Sequence, residues 1–306
     1  MPMASNSFGD KWTFTSFGES HGAAIGGVLD GVPAGLHIDF AMIRKELDRR
    51  SGKGVAGASM RAQNEPDEIE WLSGILDGVT LGTPIAFLIR NKDARPEDYE
   101  WLKHHYRVGH ADKVYEQKYG IRDWRGGGRA SARETAARVV AGCIAKQDLA
   151  QKGVTIRAEL IQVGQETDSS RFADIIESAQ RDGDSIGGIV ECRINGLPAG
   201  TGEPIFDKLQ AHLAFAIMSI NACKGFEYGT GFAGVTQRGS AINAISGGIS
   251  GGISDGSEVV FRCVFKPTPS TPKAGVKGRH DACIATRAVP VVEAMTALAI
   301  VNFQFL

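Results

Sequence analysis

The stretch Arg125-Gly-Gly-Gly-Arg-Ala-Ser-Ala-Arg-Glu-Thr135 joins a run of glycines to the clearest helix start in the chain. Ser131 and Glu134 form the Ser-x-x-Glu pattern of a capping box, and apolar residues follow on one helical face. Arg129 precedes this start and Arg133 falls in the first turn, where the helix dipole favours acidic residues. Basic residues there, next to backbone that no Cβ shields, predict a bound anion at the helix N-terminus.

Outside this stretch, strand-like and helix-like segments alternate without the regular order of βαβ units. The apolar pattern predicts strands at 12–17 and 25–29, which form a hairpin, and at 69–76, 84–90, 154–160, 186–194 and 259–265. Apolar spacing predicts helices at 40–50, 131–153, 172–179, 206–220 and 291–301, the first of them capped by Asp39. No low-complexity linker or repeat divides the sequence, which predicts a single α+β or layered domain over residues 1–306.

Composition narrows the class of protein. A chain of 306 residues with 42% hydrophobic content can bury a sizeable core, and its formal net charge of -1 gives no general attraction for nucleic acid or an anionic membrane. Five separate cysteines without a CxxC pair indicate reduced thiols, and no apolar run has membrane-spanning length. The sequence therefore predicts a cytoplasmic protein without a membrane segment or a nucleic-acid partner. Because the net charge is near zero, any site for an anion has to be formed by a local cluster of basic residues.

Two histidines lie in glycine-bearing loops that suit proton transfer. His21 stands in the sequence GESHG and His110 in the sequence RVGHAD. A single histidine in a turn is more often a surface or packing residue, but two in such loops favour acid–base chemistry near neutral pH. Asp281, which follows a basic pair, is a further candidate, with a simple ion pair as the alternative interpretation.

Several familiar motifs are missing or out of context. Residues 125–129 match an RGG nucleic-acid box, but such boxes occur in repeated disordered tracts, whereas this one opens a capped helix. Residues 229–234 fit the dinucleotide pattern GxGxxG, but no clear helix follows, so we interpret this as a chance match. The sequence has no GxxxxGK phosphate loop and no His, Cys and carboxylate set with zinc spacing, so no metal site is predicted.

Taken together, these segments resemble the chorismate synthase family over essentially the whole chain. The matching segments are, in order, Phe17-Gly-Glu-Ser-His-Gly22, Asp48-Arg-Arg50, Arg107-x-Gly-His-Ala-Asp112, Lys118-Tyr-Gly120, the stretch from Arg125 to Thr135, Gly202-Glu-Pro204, Ser219-Ile-Asn-Ala222, Lys266-Pro-Thr268 and Gly278-Arg-His-Asp281. So many matches in one order leave little room for chance similarity.

The resemblance implies a fold, a reaction and a cofactor. The fold is a layered β-α-β sandwich with helices between antiparallel sheets, assembled as a homotetramer. The reaction is the last step of the shikimate pathway, a 1,4-anti elimination that converts 5-enolpyruvylshikimate 3-phosphate into chorismate and phosphate, and it requires reduced FMN without net redox change. Some relatives also reduce their flavin with NADPH, so a bifunctional form is the alternative, with NADPH as an indirect reductant.

The resemblance also implies roles for particular residues. His21 would protonate or stabilise the departing phosphate, His110 would supply a proton to the anionic reduced flavin, and Asp281 would act with the flavin to remove the C6 hydrogen. The flavin-contacting positions correspond to Arg129, Ala130, Ser131, Asn221, Ala222, Gly251, Lys266, Pro267, Thr268, Pro269, Ser270 and Arg279. The substrate-clamping positions correspond to Arg49, Arg50, Arg61, Arg107 and Arg133.

Some positions depart from the family pattern. Ala130 and Pro269 stand where the family usually has serine, and Val108 stands where it usually has proline. None of these changes removes a proposed catalytic group. The stretches near 240–243 and 269–277 are shorter than in the family, which implies that loops are missing from the sequence at those two places.

Overall fold

The computed structural model describes residues 5–59, 64–242, 246–276 and 280–303. Its strands are β1 (Ser7–Phe8), β2 (Thr13–Phe17), β3 (Ala24–Asp30), β4 (Ile69–Trp71), β5 (Ile75–Leu76), β6 (Val79–Thr80), β7 (Ile85–Arg90), β8 (Thr155–Val163), β9 (Gly188–Asn195), β10 (Cys223–Tyr228), β11 (Ile249–Ser250), β12 (Ile253–Ser254) and β13 (Val259–Phe265). Its α-helices are α1 (Phe40–Ser51), α2 (Asp112–Tyr119), α3 (Thr135–Gln151), α4 (Phe172–Arg181), α5 (Leu209–Met218), α6 (Gly239–Ile242) and α7 (Ala285–Ile300). Short 3-10 helices cover Pro96–Lys103, Gly128–Ala130, Ala132–Glu134, Ser169–Arg171, Gly231–Thr236 and Pro272–Ala274.

Two larger antiparallel sheets form the outer layers. One has the strand order β1-β2-β3-β7-β4, and the other has the order β10-β13-β9-β8. Two-stranded sheets, β5-β6 and β11-β12, add to these. Helix α3 packs on β3 of the first sheet, and α7 packs on β8 and β9 of the second. The predicted α+β sandwich with helices between antiparallel sheets is therefore confirmed.

Helices α3 and α7 form the centre of the sandwich and pack against each other. Every residue of α7 except Thr286 is buried, as expected for a helix that is enclosed on all sides. The two helices approach closely at Gly142, where an added Cβ would overlap Ala294. Residues this small let the backbones of the two helices approach closely at this point.

One buried ion cluster crosses this core. Glu293 of α7 accepts hydrogen bonds from Arg49 at 3.0 and 3.1 Å, from Lys146 at 2.5 Å and from the backbone N–H of Ala158 at 3.0 Å. Burial acts to raise the pKa of Glu293, but the hydrogen bond to Arg49 and the charge of Lys146 lower it overall. The cluster ties α1, α3 and β8 to α7.

Most predicted elements agree with the structure except at their ends, but the predicted strand 69–76 is wrong: it is two strands, β4 in the first large sheet and β5 in the two-stranded sheet β5-β6. Ser131 is a helix cap as predicted, but it caps the 3-10 helix Ala132–Glu134 that leads into α3. Its hydroxyl accepts from the backbone N–H of Arg133, and Glu134 pairs with Arg138 instead of closing a capping box. The last helix begins at Ala285, not at 291, so that Pro290 lies inside it. Helix α2 and strand β10 were not predicted. Residues 243 and 277 of the two short stretches lie outside the described residues.

Candidate active site

A cavity of about 500 Å³ lies where loop 107–112, the glycine run 126–128, segment 266–270 and the start of α7 meet. This volume lies within the range of small-molecule sites. The structure brings these predicted site residues to its wall: His21, Arg50, Arg107, His110, Ala130, Ser131, Arg133, Asn221, Ala222, Lys266, Thr268, Pro269, Ser270 and Asp281. Residues that are far apart in the sequence thus converge on one basic cavity.

The glycine run makes room for both histidines. An added Cβ at Gly126 would overlap the ring of His21, and one at Gly127 would lie 2.7 Å from Cε1 of His110. His21 is buried, its Nδ1 lies 2.9 Å from the hydroxyl of Ser20, and its ring meets that of Tyr99 edge-on. Two glycines therefore allow both imidazoles to reach the same wall.

His110 belongs to a local charge network. Its Nδ1 lies 2.8 Å from a carboxylate oxygen of Asp112 and 3.2 Å from a guanidinium nitrogen of Arg107. We assign the proton to Nδ1, because the contact to the carboxylate is shorter and Arg107 already donates twice to Asp112 at 2.8 Å. These hydrogen bonds lower the pKa of Asp112, although burial acts to raise it. Asp112 therefore fixes the ring so that Nε2 is the nitrogen left for a ligand.

Two buried arginines supply positive charge that is not fully paired. Asp67 is fully buried and pairs with both Arg50, at 3.7 Å, and Arg133. Burial, opposed by Asp67 but aided by the nearby guanidiniums of Arg287 and Arg133, lowers the pKa of Arg50 to about 9. Nε and Nη1 of Arg50 and Nη2 of Arg133 are buried without a hydrogen-bond partner within the described part of the chain. Buried donors of this kind indicate a site for an anionic ligand.

Asp281 forms another part of the cavity wall, and both of its carboxylate oxygens accept hydrogen bonds. One accepts from the backbone N–H of Ser59 at 2.8 Å, and the other from Nη1 of Arg287 at 2.6 Å. Arg287 also donates through Nε to the backbone oxygen of Arg50 at 2.8 Å. The carboxylate is thereby tied to the end of α1 and to the start of α7.

The remaining wall is built from segments that the family resemblance assigns to the flavin. Asn221 donates through its amide to the backbone oxygen of Ala130 at 3.1 Å, which joins the segment after α5 to the start of α3. Ala222 has a φ of 66°, a left-handed conformation that is uncommon for a residue with a Cβ and that clusters at functional sites. Lys266 lies with Nζ 3.4 Å from the backbone oxygen of Gly109, which places 266–270 against the loop of His110.

Several predicted residues lie elsewhere. Arg49 does not reach the cavity, because its guanidinium pairs with Glu46 and Glu293 and borders a separate hollow. Arg129 lines a neighbouring cavity of about 480 Å³ that shares the wall at Ala130, where it donates to Ser16 and to the backbone of Gly18. Gly251 occupies the turn between β11 and β12, and Pro267 lies next to the cavity without lining it. Arg61 and Arg279 lie outside the described residues.

The residues that sequence reasoning missed include three charged side chains that hold groups of the cavity wall. Asp112 lies two positions after His110 in the sequence RVGHAD, and a carboxylate so close to a candidate catalytic histidine could have been predicted to bind it. Asp67 and Arg287 follow no motif, because each acts through partners that are distant in the chain. In the described ranges, no group of three or more His, Cys, Asp or Glu residues could hold a metal ion, and no helix is both long and apolar enough to span a bilayer.

The GxGxxG pattern at residues 229–234 has no dinucleotide-binding context. Strand β10 ends just before it, pairs antiparallel with β13, and leads into the 3-10 helix Gly231–Thr236. A dinucleotide fingerprint requires a parallel strand that passes directly into an α-helix. The interpretation as a chance match is confirmed.

Comparisons with known proteins identify the family. A family model described as chorismate synthase matches residues 12–305. The chain belongs to the chorismate synthase family. The chorismate synthase of Christiangramia forsetii is 44% identical, in an alignment that covers 98% of this chain and 98% of that protein. The chorismate synthase of Porphyromonas gingivalis is 45% identical, with 97% of this chain and 95% of that protein covered.

A solved structure supports the same family. The protein titled "Crystal Structure of Chorismate Synthase" is 29% identical, has a TM-score of 0.77, and is matched over 96% of this chain and 92% of that one. Chorismate synthases are carbon–oxygen lyases that act on phosphates, and we assign the chain to this enzyme class. The resemblance drawn from the sequence motifs is confirmed.

Proposed function

We propose that this chain converts 5-enolpyruvylshikimate 3-phosphate into chorismate and phosphate by 1,4-anti elimination, with reduced FMN as cofactor. The observation that carries the proposal is the convergence on one cavity of two histidines, a carboxylate and the buried, unpartnered guanidinium nitrogens of Arg50 and Arg133. Within the family to which the chain belongs, this set of groups matches the charge and the proton transfers of that reaction.

The substrate carries a phosphate and two carboxylates, and the cavity offers matching donors. Arg50 presents Nε and Nη1 and Arg133 presents Nη2, each buried and unpartnered within the described ranges. A guanidinium donates to phosphate or carboxylate through fixed, planar N–H groups, which suits such anions better than an ammonium does. Bound anions would also relieve the repulsion among the guanidiniums that line the wall.

The wall beyond the arginines fits a flavin mononucleotide. Oδ1 of Asn221 and Oγ of Ser270 are buried without a partner in the described residues, so one acceptor and one hydroxyl remain for the polar edge of a ring or a phosphate. Ala130, Ser131, Ala222, Lys266, Thr268 and Pro269 line the same side. Reduced FMN, when bound, supplies an electron transiently and receives it back, so the reaction shows no net redox change.

The chain's own residues then handle the protons and the departing charge. The C3–O bond breaks with its electron pair leaving on phosphate, while the electron pair of the C6–H bond enters the new double bond. His21 donates a proton or hydrogen bond to the leaving phosphate, and Asp281 takes the hydrogen from C6 as a proton. In its imidazolium form, His110 would donate through Nδ1 to Asp112 and would supply the proton on Nε2 to the cofactor side.

The proposed assembly is a cytoplasmic homotetramer. In the isolated chain, Phe206, Phe232 and Val235 expose between 83% and 89% of their surface. We infer that these side chains contact another chain of the assembly, because removing large apolar surface from water is favourable. Sedimentation of the purified protein measures the number of chains, and a monomer at working concentration would contradict this part of the proposal.

An anaerobic assay tests the function. The protein is mixed with photoreduced FMN and 5-enolpyruvylshikimate 3-phosphate, and chorismate absorbance and phosphate release are followed together. We expect both products in equal amounts without NADPH. Oxidation of NADPH without formation of chorismate would instead support a flavin reductase and would contradict the lyase.

A further inference from the structure

Arg287, in the first turn of α7, is a buried guanidinium that the proposed function does not use. It is 7% exposed and borders the cavity. A positive charge in the first turn of a helix is disfavoured by the helix dipole, and burial adds a desolvation cost. A residue kept there against both effects has to be held by specific partners.

Its partners are two groups of the site. Nη1 donates to Oδ2 of Asp281 at 2.6 Å, and Nε donates to the backbone oxygen of Arg50 at 2.8 Å. The C-cap of α1 accommodates the stem of Arg287, since a Cβ added at Gly52 would lie 3.2 Å from its Cγ. The planar fork of one side chain therefore fixes the carboxylate relative to the end of the helix that carries Arg50.

We propose that Arg287 is a positioning residue, which holds the carboxylate of Asp281 in the orientation that removes the C6 hydrogen. The inference rests on the proposed function, because it takes Asp281 as the base. Arg287 does not contact the reacting atoms in this role. It acts through Asp281, whose other oxygen is held by the backbone N–H of Ser59.

The first test compares two substitutions of Arg287. Arg287→Gln removes the charge and leaves Asp281 with one fixed oxygen, so we expect kcat to fall about 100-fold, the effect of displacing a reacting group by about 1 Å. The KM for substrate changes much less, because Asp67 still pairs with the guanidiniums of Arg50 and Arg133 that bind the anion. Arg287→Lys retains a charge next to Asp281 but loses the fork, and kcat recovers to within about tenfold of the wild type.

The decisive test is a double-mutant cycle with Asp281→Asn. If Arg287 acts through Asp281, then Arg287→Gln lowers kcat in the wild-type background but has almost no further effect in the Asp281→Asn background. Arg262→Gln is the control, because the guanidinium of Arg262 also donates to two separate acceptors, Glu191 and Glu227, but on the second sheet and outside the cavity. We expect this control to leave kcat unchanged.

The outcomes separate the two proposals. Equal losses of kcat from Arg287→Gln in both backgrounds would overturn the positioning role, as would a loss confined to KM, which would make Arg287 a substrate ligand. Wild-type turnover of Asp281→Asn would instead overturn the base assigned in the proposed function. If Arg287→Gln does not fold, the same cycle is run with Arg287→Lys, and additive losses there overturn the inference equally.

Discussion

The close approach of Gly127 to His110 leads to a sharp prediction for Gly127→Ala. The new Cβ would lie 2.7 Å from Cε1 of His110 and 2.8 Å from Nη2 of Arg107, about 1 Å inside normal contact. Neither side chain can yield freely, because both are hydrogen-bonded to Asp112. The ring is expected to move by about 1 Å, which lowers kcat about 100-fold.

The same substitution also strains the backbone, and a second glycine separates the two effects. Gly127 has a φ of 90°, where alanine is destabilised by about 1–2 kcal/mol. Gly120 at the end of α2 has a φ of 74°, but a Cβ there meets nothing within 4 Å. Gly120→Ala therefore shares the loss of stability and lacks the contact with the ring.

Thermal unfolding and anaerobic turnover are measured on both variants. We expect similar decreases in Tm, at about 2–4 °C for each kcal/mol, together with a loss of kcat in Gly127→Ala alone. Wild-type turnover in Gly127→Ala would refute the reasoning, because it would mean that the position of His110 does not limit the reaction. Equal losses of turnover in the two variants would refute it as well.

Three further predictions follow from the charges. His110→Ala is expected to keep the fold and slow turnover by about 10²–10⁴, with unchanged turnover excluding the residue from the mechanism. Glu293→Gln leaves Arg49 and Lys146 without their shared partner, and urea unfolding is expected to show a free energy of unfolding that is lower by about 3–5 kcal/mol. Glu258→Gln is the control at an exposed ion pair with Arg193, and it is expected to change this free energy by at most about 1 kcal/mol. Equal effects of the two substitutions would contradict this account. Arg50→Gln removes two of the buried guanidinium donors and is expected to weaken calorimetric binding of inorganic phosphate by about tenfold or more, and an unchanged affinity would show that Arg50 does not bind the anion.

The pKa of Glu293 fixes the direction of one pH effect on stability. The cluster lowers this pKa in the folded protein below its ordinary value. Its contribution to the free energy of unfolding is therefore complete above the unfolded pKa of about 4.3 and is lost as the pH falls through the folded pKa. Glu293→Gln is expected to lose this part of the acid dependence.

The sequence predicted the site best where the relevant residues are neighbours in the chain. The glycine run, the helix start and the two histidine loops are local patterns, and the structure brings all of them to one cavity. Arg49 and Arg50 show the limit of such patterns. They are adjacent in one motif, but only Arg50 lines the cavity. Arg49 is hydrogen-bonded to Glu293, which lies 244 positions further along the chain.

Long-range pairs account for most of what was missed. Asp67 pairs with Arg133 across 66 positions, and Arg287 bonds the backbone of Arg50 across 237. Nothing within a short window of sequence reports such partners. The start of α7 was misplaced for a related reason, since a helix buried on nearly every side has no polar face to reveal its period.

The burial of α7 implies that the two sides of the cavity differ in how easily they open. Asp281 is hydrogen-bonded through Arg287 to a helix that is almost entirely buried, and we expect the amides of this helix to exchange with solvent only when the whole domain opens. His21 and His110 lie on loops, which we expect to open separately and at lower free energy. We therefore expect the side of the cavity that carries Asp281 to stay rigid, and the side that carries the two histidines to move as ligands enter and leave.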